Sequence, residues 1–376
     1  MPRSYSVLAL VGDGIAEEIV PEASKVLEAA EEAYGLDLEL IGPYDFGAKY
    51  YADHDLRRGW DPAVTPDLLR EVDCWFKGPV GLPEWLGKLP GPYLPINQRL
   101  DLDVYANIRP CRLRPGVEGV LKGREAGDID FIVLRENTEH MYAKVGGTFS
   151  RGGETELAVD NYIQTRKGCE RIIRFGFELA RSGDYKGRPG APSDGARRLT
   201  CSAKWGNCRG DDLFKAVFEE LAPGYPDVEA DYAWIDAWSY WAIMRPGHYD
   251  VVVMPNQYGD IMSDMSGALQ GSMGLAGSIN AGDRHCFAEA THGSAPDIAG
   301  RGIANPTSII LSVGMMLNWL GEKRGDERLK QAWKGIDRAV DRVLSEGRVR
   351  TPDLKGANST REFGDAVAAA LKEPGS

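Results

Sequence analysis

Apolar runs short enough for strands alternate along the chain with longer runs of helical periodicity, and this alternation restricts the fold more than any other feature. The first pair is Tyr5–Val11 followed by Ala16–Ala33, whose apolar residues recur at helical spacing. Further runs of both kinds are Pro66–Glu71, Cys74–Lys77, Ile129–Leu134, Thr165–Ser182, Arg198–Ala203, Tyr249–Met254, Ser308–Leu320 and Glu327–Ser345. Strands that alternate with helices predict an α/β fold with a largely parallel core.

Three segments without such patterns are predicted to lie outside the core. Gly78–Pro95 is rich in Gly and Pro and is predicted to be a loop. Tyr185–Arg197 has no periodicity and is predicted to be an inserted, mobile loop. Gly146–Glu154 carries four glycines, and its flanks Met141–Val145 and Thr155–Val159 are predicted to pair as an exposed hairpin.

The length of 376 residues suits about two domains, and 43% hydrophobic and 27% charged residues indicate a globular protein. A net charge of −12 disfavours non-specific binding to nucleic acid or to anionic membranes. The six cysteines form no CxxC pair and are predicted to be reduced. No secretory signal and no apolar run long enough for a membrane span is apparent, so a cytoplasmic location is expected.

Three arginines stand at predicted strand ends or tight loops. Arg135 follows the run Ile129–Leu134, and Arg99 and Arg109 bracket residues 100–108. A guanidinium group can bind a carboxylate through two parallel charge-assisted hydrogen bonds. Because a single arginine is more often a surface ion-pair residue, the spacing leaves a polyanionic ligand and ordinary surface pairing about equally open.

Three aspartates are candidate metal ligands. Asp260 and Asp264 are four residues apart on one face of a predicted helix, and a bound cation would remove their repulsion. Oxygen ligands suit Mg²⁺ or Mn²⁺, while favourable placement near a helix N-terminus is the alternative. Asp236 lies in the aromatic segment Tyr232–Trp238, where a carboxylate needs a partner and a metal ion is one candidate. The few histidines and unpaired cysteines disfavour zinc.

Residues 292–300 form a polar turn of small residues, which let a backbone approach a ligand closely. Asp297 could hold ribose hydroxyls and repel a 2′-phosphate, which would favour NAD over NADP, although such a segment is more often an ordinary loop. Gly12-Asp13-Gly14 is only half of a GxGxxG fingerprint because Glu17 takes the next position, so a Rossmann domain is not predicted.

Tyr142 and Lys204 complete the candidate set as an acid and a base. Tyr142 follows Arg135 by seven residues, and Lys204 directly follows the run Arg198–Ala203. Each residue alone is most often a surface or packing residue. The two gain a catalytic meaning only beside a metal ion.

Together these motifs resemble one family, the β-decarboxylating dehydrogenases, which include isocitrate, isopropylmalate, homoisocitrate, tartrate and D-malate dehydrogenases. The resemblance extends from Gly12 to Leu354. Its motifs are Arg99 with Asp103–Pro110, Arg135–Glu139 with Tyr142, Asn256–Asp264, and His292 through Pro306. Leu94–Ile96 and residues 135–147 look closest to the tartrate/D-malate branch.

The resemblance implies a role for each candidate residue. The substrate carboxylates would be bound by Arg99, Arg109 and Arg135. Tyr142 would be the acid at the carbanion carbon, and Asp260 and Asp264 would bind Mg²⁺ or Mn²⁺. Lys204, as the base, and Asp236, as a third metal ligand, would come from the other subunit of a homodimer. The NAD site would be formed by Ile15, Glu289, His292, Gly293, Ser294, Ala295, Pro296, Asp297, Ile298 and Asn305.

The implied fold is a non-Rossmann α/β fold of the isopropylmalate dehydrogenase type with a discontinuous first domain. Residues 1–104 and 271–376 would form the NAD-binding domain, and residues 105–270 a central domain with the metal and substrate residues. Residues 141–160, approximately, would be the arm that clasps a second chain. The sequence departs from the family in having His140 at a common glycine position and Lys204-Trp205-Gly206-Asn207 in place of Lys-x-Asn.

The implied activity is the NAD- and metal-dependent oxidative decarboxylation of a 2-hydroxy acid with a β-carboxylate. Gly91–Gln98 should select the substituent at C3, and its lack of the Ser-x-Asn pattern favours (R)-malate, tartrate or a 3-substituted malate. 3-Isopropylmalate, isocitrate and homoisocitrate are the alternative substrates. A catalytically silent regulatory subunit is a further alternative, against which the presence of Tyr142, Lys204 and the three aspartates argues.

Overall fold

Strands and helices alternate in the computed structural model, which describes residues 4–54, 58–85, 88 and 93–373. The strands are β1 (Tyr5–Leu10), β2 (Leu38–Tyr44), β3 (Cys74–Lys77), β4 (Ala106–Arg112), β5 (Asp130–Glu136), β6 (Gly146–Arg151), β7 (Glu154–Asp160), β8 (Arg198–Ala203), β9 (Glu229–Trp234), β10 (Val251–Met254), β11 (Ile279–Ala281) and β12 (Cys286–Glu289). The helices are α1 (Ala16–Tyr34), α2 (Ala48–Asp53), α3 (Pro66–Glu71), α4 (Arg166–Ser182), α5 (Arg209–Leu221), α6 (Ile235–Met244), α7 (Asn256–Leu269), α8 (Thr307–Arg324), α9 (Glu327–Glu346) and α10 (Thr360–Leu371).

The chain divides into two compact units. The first unit comprises residues 1–104, 113–127 and 267–376, and the second comprises residues 105–112 and 128–266. In the first unit the strand order is β2-β1-β3-β12-β11, and only the β11–β12 pair is antiparallel. In the second unit the order is β4-β5-β10-β8-β9, and only the β4–β5 pair is antiparallel. The predicted α/β fold with largely parallel strands is therefore confirmed.

Residues 113–127 belong to the first unit, although the sequence boundaries grouped them with the central segment. The reason is a buried ion pair that the sequence pattern does not reveal. The Arg114 guanidinium donates to Asp337 and Asp341 of α9, each at 2.7 Å. A buried arginine needs such partners, and these two fix the segment against α9.

The core of the first unit is built on aromatic side chains of neighbouring strands. Trp75 of β3 and Phe287 of β12 stack with their ring centroids 4.3 Å apart. Leu94 and Ile96 belong to the same buried cluster, although Leu94 lies in the segment Gly78–Pro95 predicted to be a loop and Ile96 directly follows that segment. The burial of these two apolar side chains therefore anchors this part of the chain.

The hairpin forms with different bounds from those predicted. The glycine-rich segment itself supplies β6, which pairs antiparallel with β7, and both strands are exposed throughout. Residues 140–143 form a short 3-10 helix instead of a strand. Gly146 lies so close to β7 that an added Cβ would be 1.9 Å from the Val159 carbonyl oxygen, so this glycine permits strand pairing instead of forming the turn.

The 185–197 segment is anchored, contrary to the prediction of a mobile loop. Lys186 forms an ion pair with Asp250 in which both side chains are fully buried. Asp250 also accepts the backbone N–H of Arg198 at 3.0 Å, and Lys186 donates to the Gly190 carbonyl at 2.8 Å. The lack of periodicity reflects irregular backbone held by polar contacts, which a sequence pattern cannot distinguish from mobility.

None of the six cysteines, which all lie in the described part of the chain, forms a disulfide, and five of them are buried. Burial raises the pKa of the Cys169 thiol to about 12, so this thiol is protonated and unreactive at neutral pH. Within the described ranges, no helix has both the length and the apolar character that crossing a bilayer requires.

The Lys186→Met substitution should lower the free energy of unfolding by about 3–5 kcal/mol, because it leaves the buried Asp250 carboxylate without its cation. Urea denaturation would measure this loss. Lys167→Met, which changes an exposed lysine of α4, is the matched control and should change stability by less than about 0.5 kcal/mol. Equal stability of the two variants would restore the mobile-loop interpretation.

Candidate active site

The first part of the site is a buried arginine at the end of β5 that contacts the first turns of α7. Arg135 is 2% exposed, and its Nε and Nη2 atoms donate to Asn256 Oδ1 at 3.0 and 2.8 Å. Its Nη1 atom donates to Asp260. Gly259 makes this approach possible, since an added Cβ would lie 2.6 Å from the Arg135 side chain. These contacts fix α7 against the strand end.

A second buried arginine contacts the next turn of α7. Arg109 of β4 donates to Ser263 Oγ at 2.6 Å and pairs with Asp264 at 3.4 Å and with Asp260 at 3.7 Å. Burial raises the pKa of Asp264 and the charge of Asp260 adds to this effect, although Arg109 opposes it. The predicted pair of carboxylates and two of the three predicted arginines therefore come together in the second unit.

Tyr142 joins the same cluster from the 3-10 helix of residues 140–143. Its hydroxyl donates to Asp260 Oδ2 at 3.1 Å, and its ring lies 5.6 Å from the Arg135 guanidinium carbon. The side chain is 43% exposed, so a ligand can reach the hydroxyl group. His140 has a φ of 70°, a left-handed conformation that accounts for the glycine common at this position in the family.

Lys204 and Asp236 form a separate pair. Lys204 follows β8, Asp236 lies in the first turn of α6, and the Nζ–Oδ1 distance is 2.6 Å. A hydrogen bond from Lys204 lowers the pKa of Asp236. Across the described ranges, no three His, Cys, Asp or Glu side chains lie close enough together to hold a metal ion, so Asp236 does not complete a triad with Asp260 and Asp264 within one chain.

In the first unit, Arg99 is held by Glu289. The Glu289 carboxylate pairs with Lys77 at 2.5 Å and with Arg99 at 3.3 Å, and it accepts Asn280 Nδ2 at 2.9 Å. Burial alone would raise the pKa of Glu289, but the two cations outweigh it and hold that pKa well below its usual range. Lys77 was not among the predicted site residues, although a lysine that ends a fully buried strand is itself a signal of a buried ion pair.

A cavity of about 600 Å³ in the first unit is large enough to hold a substantial part of a nucleotide. Its wall includes six of the residues predicted to bind NAD, namely Ile15, His292, Gly293, Ala295, Ile298 and Asn305. Burial lowers the pKa of His292, so its imidazole is neutral at pH 7. The groups that line the cavity are mainly apolar, with few polar ones among them.

Four other residues predicted to bind the cofactor do not line this cavity; they are Glu289, Ser294, Pro296 and Asp297. Ser294 donates to the Gly81 carbonyl and accepts the Ile15 N–H through its own carbonyl, so its contacts are with the protein. Asp353 was missed by the sequence analysis. It lines the cavity and accepts Asn305 Nδ2 at 2.9 Å.

The segment expected to select the substrate is described from residue 93 onward, and Gly91 and Pro92 lie outside the described residues. Leu94 and Ile96 are only 3% and 6% exposed because they pack into the core. Tyr93 and Pro95 alternate with them and remain partly exposed. Tyr93 still packs against the core cluster, whereas Asn97 of the same segment is exposed.

The chain is similar to known proteins over nearly its whole length. The chain matches the family described as isocitrate/isopropylmalate dehydrogenase over residues 6–367. It is 37% identical to the D-malate dehydrogenase (decarboxylating) of Escherichia coli strain K12 over 373 residues, which are 98% of each chain. It is also 37% identical to the tartrate dehydrogenase/decarboxylase of Pseudomonas putida, again over 98% of each chain. The solved isocitrate dehydrogenase of Methylococcus capsulatus superposes with a TM-score of 0.82 at 33% identity, covering 98% of this chain and all of that one.

These similarities define the class of the protein as a decarboxylating dehydrogenase, an oxidoreductase that acts on CH–OH donors. The chain belongs to the isocitrate/isopropylmalate dehydrogenase family.

The Lys204→Met substitution should raise the pKa of Asp236 towards the ordinary carboxyl value, because the ammonium group that favours the charged carboxylate is removed. A ¹³C NMR titration of the Asp236 carboxyl carbon would measure this change. Asp227, whose pKa is lowered by Arg181, is an internal control and should titrate as before. An unchanged Asp236 titration would mean that the two side chains are not paired in solution.

Proposed function

We propose that this protein catalyses the NAD- and divalent-metal-dependent oxidative decarboxylation of a 2-hydroxy acid with a β-carboxylate, in the form of a cytoplasmic homodimer with shared active sites. (R)-Malate, tartrate and 3-substituted malates are the proposed substrates. One observation carries the proposal: two buried arginines, two acidic side chains four residues apart and a tyrosine hydroxyl meet at the start of α7. This set combines groups for an anion, a cation and a proton transfer.

The donor set of α7 fits a hard divalent cation. Asp260 and Asp264 present carboxylate oxygens, which Mg²⁺ and Mn²⁺ prefer. In the structure these carboxylates are neutralised by Arg109 and Arg135. Once a bound cation takes over that neutralisation, both guanidinium groups can donate to the carboxylates of a substrate. Arg99, which is paired with Glu289 and not with these aspartates, would also donate to a substrate carboxylate.

The reaction converts the hydroxy acid and NAD⁺ into a 2-keto acid, CO₂ and NADH. Lys204 would accept the hydroxyl proton as the hydride leaves C2 for the nicotinamide, and Tyr142 would donate a proton to the carbon that loses CO₂. Asp260 and Asp264 would hold a Mg²⁺ or Mn²⁺ ion, which would supply a Lewis acid for the developing oxyanion. The exposed Tyr142 hydroxyl beside Asp260 supports its role as the acid.

The 600 Å³ cavity of the first unit is the proposed binding site for part of NAD. Its apolar wall suits a nucleobase, and the amide of Asn305, held by Asp353, offers a polar contact. Gly293 has no side chain and Ala295 has only a methyl group, so the backbone at these positions could approach the cofactor closely. Asp297 is exposed beside this wall, where its charge would disfavour a 2′-phosphate.

Two features support a homodimer. One chain offers only two of the three proposed metal ligands in one place, because Asp236 is paired with Lys204. The helix that carries Asp236, together with Trp234 at the end of the preceding strand, has a large apolar exposed surface, in which Trp234, Tyr240 and Met244 are each at least 51% exposed. A second copy packed on α6 would cover this surface and bring its Asp236 and Lys204 to the first copy's carboxylates.

The substrate assignment follows from a panel of acids. With NAD and Mn²⁺, we expect NADH formation at 340 nm from (R)-malate, tartrate or a 3-substituted malate, and loss of that signal on chelation. 3-Isopropylmalate, isocitrate and homoisocitrate complete the panel. Turnover of isocitrate alone would contradict the proposed substrates, and inactivity with every acid would indicate either a substituted malate outside the panel or a silent subunit.

Hybrid dimers test whether the sites are shared. Lys204→Met and Asp260→Asn should each be inactive alone. If each site takes Asp260 from one chain and Lys204 from the other, a re-equilibrated equal mixture should regain about a quarter of the wild-type activity, since half of the dimers are hybrids with one intact site. A mixture of Lys204→Met with Lys204→Met/Asp260→Asn is the matched control and should stay inactive. No recovery in the first mixture would place both residues in a site within one chain.

A further inference from the structure

Asp211 has a buried carboxylate that collects hydrogen bonds from several segments. It lies in the first turn of α5 and is fully buried. Its Oδ2 atom accepts the backbone N–H of Lys204 at 2.8 Å. Its Oδ1 atom accepts Gln164 Nε2 at 2.7 Å and the Tyr162 hydroxyl, and the Tyr258 hydroxyl lies close enough to interact with this carboxylate. A carboxylate removed from water depends on such donors.

Ordinary stabilisation of a helix N-terminus does not account for these contacts. An acid in the first turn usually interacts with the free N–H groups and the dipole of its own helix. Asp211 instead accepts an N–H that precedes α5 and the side-chain donors of Tyr162 and Gln164. Within the part of the chain that the structure describes, the exposed carboxylate of its neighbour Asp212 accepts just the Gly206 N–H, at 2.7 Å. The Asp211 carboxylate therefore connects several segments of the chain instead of capping α5 alone.

The connected segments are the ones that carry the proposed catalytic groups. Lys204 is held through its backbone, and Tyr258 lies two residues before Asp260 in α7. The Tyr162 ring packs against the His140 ring, with the ring centroids 3.7 Å apart. His140 lies two residues before Tyr142 in the chain. Burial lowers the pKa of His140 to about 4, so its ring is neutral at pH 7 and packs as an uncharged aromatic surface.

We infer that Asp211 is a positioning residue for Lys204. The inference rests on the proposed function, in which Lys204 is the base. The carboxylate fixes the backbone from which the lysine side chain extends, and Tyr162 and Gln164 fix the carboxylate. A misplacement of a catalytic group by about 1 Å can lower a rate about a hundredfold, so this support controls turnover more than binding.

Asp211→Asn should lower kcat about 10- to 100-fold while the KM values for the hydroxy acid and NAD change by less than about twofold. Tyr162→Phe removes one donor to the carboxylate, keeps all backbone hydrogen bonds and should lower kcat less, in the same direction. Asp212→Asn is the matched control and should keep wild-type kcat. Unchanged kcat in both Asp211→Asn and Tyr162→Phe, or a parallel rise in KM, would overturn the inference.

Hybrid dimers distinguish an effect on Lys204 from a general weakening of the fold. When Asp211→Asn is mixed with Lys204→Met, the intact site uses the lysine of the Asp211→Asn chain and should be slow. When Asp211→Asn is mixed with Asp260→Asn, the intact site uses the other chain's lysine, with its native Asp211, and should match the hybrid of Lys204→Met with Asp260→Asn. The reverse order of rates would refute a role through Lys204. Inactivity of that reference hybrid would instead refute the shared site, while the kcat and KM measurement on Asp211→Asn would still test the inference.

Discussion

The contact of Arg135 with Asn256 and Asp260 is the interaction on which the rest of the candidate site depends. A guanidinium that is 2% exposed at the end of a central strand must be satisfied by nearby acceptors. The start of α7 provides them, and Gly259 lets the helix come close enough. Because Asp260 is fixed in this way, Tyr142 has a defined acceptor for its hydroxyl. One buried charge thus sets the positions of a proposed metal ligand and a proposed acid.

Elements with a clear period were predicted well from the sequence. The bounds of α3, β3 and β8 agree with the predicted runs, and α1 begins at the predicted residue. Helix α6 was not predicted, because nearly all of its residues are apolar and no helical face stands out. The predicted position of the hairpin was wrong because glycines normally indicate turns, whereas here Gly146 permits a close contact between strands.

The candidate site shows the same division between local pattern and tertiary contact. The sequence motifs identified five residues that meet in the structure, namely Arg109, Arg135, Asp260, Asp264 and Tyr142. Asp211 and Asp353 were not chosen, since a single aspartate has no distinctive spacing. Their importance comes from burial and from partners distant in sequence, as with Asp353 and Asn305. Such supporting residues can be found only once the fold brings the partners together.

Charge balance argues that substrate and cation enter the proposed site together. Arg109 and Arg135 are partly or fully buried and are balanced by Asp260 and Asp264. A dicarboxylate added alone would bring two uncompensated negative charges to this site, and a divalent cation alone would bring two positive ones. A metal–dicarboxylate pair is neutral and leaves the balance unchanged. The paired arginines and carboxylates would therefore favour binding of the metal–dicarboxylate complex over binding of the cation or the dicarboxylate alone. A hydroxy acid that is already chelated to the cation when it binds meets this requirement.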